Sequence, residues 1–74
     1  MTSLPVVSGR QLVKALAKIG YQFDHQEGSH IILRRQSPPH RRLTIPDHKE
    51  IAKGTLKNII RESGLTTQGL IKLL

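Results

Sequence analysis

Tyr21-Gln22-Phe23-Asp24-His25-Gln26-Glu27-Gly28-Ser29-His30-Ile31-Ile32-Leu33 is the stretch that decides the fold. Tyr21, Phe23 and His25 alternate with Gln22, Asp24 and Gln26. A period of two places alternate side chains on opposite faces, the pattern of a half-buried strand. Glu27-Gly28-Ser29 is turn chemistry, because glycine adopts the positive φ that tight turns require. His30 to Arg35 then resumes as a second strand rich in β-formers. On this reading His25 shares the parity of Tyr21 and Phe23 and is a partly buried sheet residue.

Working outward, the preceding residues change period. Ser8 and Gln11 have the spacing of a capping box, in which side chains satisfy the unpaired N–H groups of a helix start. Leu12, Val13, Leu16, Ala17 and Ile19 recur at helical spacing with Lys14 and Lys18 on the other side, and Gly20 suits the closing position. A first helix is expected over about residues 9–19. On the far side, Gln36-Ser37-Pro38-Pro39-His40 cannot continue a ladder, since two prolines remove N–H donors. Arg41 to Ile45 reads as a third strand that Pro46 ends, and residues 47–53 form a polar link with room for a helical turn. Leu56, Ile59 and Ile60 mark a second amphipathic helix over about 54–63, terminated by Gly64. Thr66 is placed to cap a short last helix within residues 66–74. The order predicts an α+β domain: two layers, α-β-β-β-α, with a three-stranded antiparallel meander receiving two helices on its one apolar face. That is also the order of the double-stranded-RNA-binding-domain fold.

The 74 residues make a single domain. A chain this short buries only ~60% of the surface its unfolded form exposes, and without cysteine it has no disulfide to help. The N-terminal residues lack the charged-then-apolar layout of a signal peptide, and no apolar run approaches the ~20 residues that span a bilayer. A soluble, cytoplasmic protein with no membrane partner is expected. Twelve Lys and Arg against five Asp and Glu give a net charge of +7. Such an excess points to nucleic acid or an acidic protein partner.

Within that charge, His30 stands out. No carboxylate occurs between Glu27 and Asp47, whereas Arg34, Arg35, Arg41 and Arg42 all do. An imidazole gives or takes a proton near neutral pH, so a histidine held at a turn in a basic field suggests chemistry on a polyanion. The competing reading is a turn residue that satisfies local backbone groups. Of the remaining histidines, His40 follows Pro38-Pro39 in an exposed loop, and His48 follows Pro46 closely enough to be a candidate contact. No cysteine, close histidine pair or carboxylate cluster supplies typical zinc spacing, so no metal and no small-molecule cofactor are expected. Arg34 and Arg35 are candidate RNA contacts. So are Lys49, Lys53 and Lys57, which would form one basic edge if the link were helical. The aromatic residues Tyr21 and Phe23 both read as core, which argues against a base-stacking platform.

Several motifs in fixed order resemble the HicA toxin family, small ribonucleases paired with HicB antitoxins in bacteria. Gly9 to Leu16 with Gly20-Tyr21 resembles the family's opening helix and first strand, and Gly28-Ser29-His30 its active-site turn. Leu43-Thr44-Ile45-Pro46 with His48, then Gly54-Thr55-Leu56, Ile59-Ile60 and Gly64-Leu65, resemble its second half. The likeness covers about residues 8–65. Relatives often carry a further histidine or tyrosine beside the catalytic one, where this chain has Ile31-Ile32-Leu33.

The resemblance implies the toxin of a type II toxin–antitoxin system, an endoribonuclease (mRNA interferase) that cuts messenger RNA without a metal. It implies His30 as the catalytic residue, Gly28 and Ser29 as its shaped turn, and a HicB-like antitoxin that covers it. Two other functions suit the same fold: a non-catalytic RNA-binding module, and a protein-binding domain whose basic face meets an acidic partner.

Overall fold

A computed structural model describes residues 3–74. Its elements run α1 (Gly9–Ala17), β1 (Tyr21–Glu27), β2 (His30–Arg35), β3 (Arg42–Pro46), α2 (Lys53–Ser63) and α3 (Thr67–Leu73). The strands form one antiparallel sheet in the order β1-β2-β3, as the α-β-β-β-α reading predicts, with α3 added at the end.

The core follows from register. Across β2 and β3, Ile31 lies opposite Ile45 and Leu33 opposite Leu43, and all four side chains are buried. Paired side chains share a face, so these two apolar pairs define the covered side of the sheet. Leu12, Ala15 and Leu16 of α1, and Leu56, Ile59 and Ile60 of α2, close over it. α3 adds Leu70, and Lys18 Nζ donates to the Leu73 carbonyl at 2.7 Å, which fastens this last helix to α1.

The helix boundaries have local causes. Both halves of the capping box form: Gln11 N–H donates to Ser8 Oγ at 3.1 Å and Ser8 N–H to Gln11 Oε1 at 2.8 Å. At its other end α1 stops at Ala17 rather than Ile19, because the N–H groups of Lys18, Ile19 and Gly20 reach back to the carbonyls three residues before them. This is 3₁₀ geometry, a tightening usual in a last turn. Gly64, at φ 78°, caps α2, and Thr66 accepts from the Gly69 N–H at the start of α3. The link after Pro46 forms no helix; Ile51 is buried there and its N–H donates to the Val7 carbonyl at 2.9 Å.

Gly9 is the tightest point between the layers. Its N–H donates to the His48 carbonyl at 2.9 Å, and a Cβ at this position would run into the Pro46 carbonyl. Only a residue without a side chain lets α1 start against the end of β3.

Two expectations about β1 are corrected. The strand carries a bulge: Phe23 pairs with Leu33, but the next pair is His25 with Ile32. One extra residue, Asp24, reverses the parity beyond it. His25 is half-buried as expected, but it shares a face with Ile32, opposite to that of Tyr21 and Phe23. Phe23 in turn is not core. It keeps the covered-side parity, yet β1 is an edge strand and Phe23 is 60% exposed there.

Candidate active site

The sheet face away from the helices is open, and β2 places His30 on it. Glu27 pairs with His30, so Gly28 and Ser29 make a two-residue hairpin loop. Gly28 has φ 57° and Ser29 has no positive φ, the pattern of a type II′ turn with glycine at its first central position. The Asp47 N–H donates to the Ser29 carbonyl at 2.6 Å, and His30 pairs with Pro46 of β3. The histidine's backbone is therefore fixed from both neighbouring strands while its side chain is exposed. That combination suits a proton-transfer group, because the imidazole meets solvent from a rigid base.

Alternation places Ile32 and Arg34 on the same face as His30, and Arg34 pairs with Arg42 of β3. Arg35 points the other way, opposite Tyr21. Lys53 and Lys57 ride on α2, in the helical layer behind the sheet, and Lys49 lies outside that helix. The expected edge through all three lysines requires a helical link, which does not form. Lys49 instead borders a shallow depression with Ser8, Arg10, Asp47 and His48, beside the segment that holds the Ser29 carbonyl. His40 closes the β2–β3 loop, its Nδ1 3.1 Å from the Arg35 carbonyl.

A charged group that the sequence reading missed lies on the open face beside β2. His25 Nδ1 is 2.8 Å from Asp24 Oδ2, and His25 Nε2 is 3.1 Å from Glu27 Oε1. The hydrogen bond to Asp24, with a second to Glu27, raises the imidazole above its ordinary 6.5. The same bond from His25 lowers Asp24, and Arg42 and Arg34 add to the effect. Asp47 is lowered as well, chiefly by the Arg10 guanidinium at 3.3 Å. The signal was present as acids one before and two after a histidine, but only the bulge turns all of them to one side.

A pH prediction follows. The folded-state value of His25 is raised, so its ion pairs stabilise the fold fully below pH 6.5 and lose that contribution as pH rises through the raised value. The groups facing it are Asp24 and Glu27 on its own strand, with Arg34 and Arg42 near Asp24. Thermal melts of wild type and His25→Gln should differ most at mildly acidic pH and converge once the pH has risen past the raised value of the imidazole. The difference should be small, because the imidazole is 44% exposed and solvent screens it. A gap that widens with rising pH would contradict this assignment.

Among the described residues no group of three or more His, Asp or Glu is arranged to hold a metal ion, and no helix is long and apolar enough to cross a membrane.

Sheet order, helix layer and turn-borne histidine together define a small basic α+β domain with one open, charged sheet face. A family model described as HicA toxin of bacterial toxin–antitoxin matches residues 9–65, about three-quarters of the chain, and runs from the helix start at Gly9 through the cap of α2. The chain belongs to the HicA toxin family, whose members are toxins of bacterial toxin–antitoxin systems. No curated protein matches it.

Proposed function

We propose that this toxin is a metal-independent endoribonuclease acting on messenger RNA, with His30 as its catalytic residue. The observation that carries the reading is the position of His30. It is the exposed imidazole at the end of a hairpin whose backbone is pinned by Glu27, Pro46 and Asp47, within a chain of net charge +7.

RNA brings its own nucleophile. The ribose 2′-OH attacks the adjacent phosphorus, the P–O5′ bond breaks, and the products are a 2′,3′-cyclic phosphate and a 5′-OH. One proton leaves the 2′-oxygen and one arrives at O5′. A single well-placed imidazole can carry one of these transfers, while cationic side chains offset charge that builds on the phosphoryl oxygens. Arg34 and Arg42 are the guanidinium groups on the same face.

Incubation of the purified protein with end-labelled RNA in EDTA tests this. Cleavage leaving cyclic phosphate ends is expected. Binding without cleavage would make the protein an RNA-binding module instead, and cleavage only after a divalent cation is added would remove metal independence.

An active ribonuclease needs restraint in its own cell. An acidic HicB-like antitoxin fits the same face, since carboxylates can take the places of phosphates against Arg side chains. Titrated into the cleavage assay, such a partner should stop activity near one-to-one stoichiometry. A saturated complex that still cuts would place the partner away from His30.

A further inference from the structure

We infer that the groove between α1 and the edge of β1 is a nucleobase subsite, in which an unpaired base of the RNA substrate stacks on the ring of Phe23. This rests on the ribonuclease reading and deepens it, by naming the residues that would hold an unpaired base of the substrate.

Phe23 is an anomaly in so small a chain. The other aromatic residue, Tyr21, is almost fully buried, while Phe23 leaves 60% of its surface in water. Its ring walls a groove of about 350 Å³ whose floor is Val13 and Ile31. The rim carries Arg10 and Lys14 from α1. Arg10 is ion-paired with Asp47 only at the surface, with its side chain 80% exposed, so the guanidinium is free to exchange partners.

An apolar floor, an aromatic wall and a cationic rim match the parts of a nucleotide. The base offers a π-face to the ring, and the flanking phosphates meet Arg10 and Lys14. Gln26 and Asp47 close the end of the groove, where the Gln26 amide oxygen and the Asp47 carboxylate can accept hydrogen bonds from the polar edge of a base. The same Gln26 amide donates to the Gly28 carbonyl at 3.0 Å and to Asp47 Oδ2 at 3.3 Å. The groove is thereby joined to the turn that presents His30. A duplex keeps its bases inside the stack, so only an unpaired strand can offer one to Phe23. An apolar side chain of a protein partner would use the floor but bring no anion to Lys14 at the rim.

The test uses 2′-O-methyl oligoribonucleotides, which cannot be cut through the 2′-oxygen. They are offered as an unstructured single strand, as a duplex, and as a single strand with abasic sites. Phe23→Ala should weaken single-strand binding by roughly five- to a hundred-fold. The salt dependence should stay unchanged, since no phosphate contact is lost. Phe23→Trp should restore affinity, and because the chain has no tryptophan its indole reports alone. Its fluorescence should fall with the unpaired strand and stay constant with the abasic strand and the duplex.

Wild-type affinity in Phe23→Ala, or an indole signal indifferent to base presence, overturns the subsite. So does a Phe23→Ala protein that holds RNA normally but releases a co-purified antitoxin. In these cases metal-free cleavage by the wild type leaves the ribonuclease reading standing. If the wild type neither binds nor cuts RNA, both fall together. Phe23 is exposed, so circular dichroism should show Phe23→Ala folded.

Discussion

Replacing His30 with alanine should slow RNA cleavage by roughly 10²–10⁴-fold, the range a positioned general acid or base contributes, while the protein stays folded. The side chain is exposed, and the residue's place in the sheet is set by backbone pairing with Glu27 and Pro46, which alanine keeps. Affinity for RNA should change little, because the charge that neutralises phosphates is carried by the Arg and Lys side chains, which the substitution leaves in place. Rates under single-turnover conditions, beside a melting curve, separate the two effects. A variant that cuts at the wild-type rate would take His30 out of the chemistry, and one that unfolds would make it a structural turn residue.

Gly9→Ala should be the most damaging small substitution for the fold. Two effects oppose each other there. Alanine in a helix is favoured over glycine by about 1 kcal/mol. Against this, the new methyl meets the Pro46 carbonyl and lies close to the Asp47 Cα, which are backbone and cannot rotate away. Forcing extra volume into a packed contact costs about 1–3 kcal/mol and occasionally more, and a rigid backbone wall belongs at the upper end. The clash wins by about 2 kcal/mol, which lowers Tm by roughly 8–16 °C in a domain of this size. Pro46 is the residue paired with His30, so cleavage should also suffer in whatever fraction remains folded. A melting temperature equal to wild type would show that the start of α1 moves away from β3 at little cost.

The sequence carried most of the layered fold because the relevant signals are local. The capping pair Ser8 and Gln11, the terminator Gly64 and the cap Thr66 all act within a few residues of themselves, and each appears in the structure where its chemistry predicts. The same holds for His30, whose turn is written in Gly28 and Ser29. What escaped depended on contacts distant in sequence. Alternation from Tyr21 to His25 looks unbroken on paper, and nothing in Asp24 itself announces an extra residue. Only pairing with Ile32 and Leu33 exposes the slip. Phe23 was misjudged for a similar reason. Parity says which face a residue takes, whereas burial depends on whether a helix reaches that far along an edge strand.

Protection of an exposed sheet edge is a further consequence of the bulge. In a three-stranded sheet both β1 and β3 are edges, and unpaired strand backbone invites pairing with another chain. The irregularity at Asp24 breaks the straight run of N–H and C=O groups along β1, with the charges of Asp24 and Glu27 on either side of His25. At the other edge, β3 is short and ends on Pro46, which has no N–H to donate. One inserted residue thus turns a histidine outward and also leaves the sheet a poor template for stacking copies edge to edge. A chain that lacked Asp24 would regain a regular β1 edge and, with it, the hazard of aggregation.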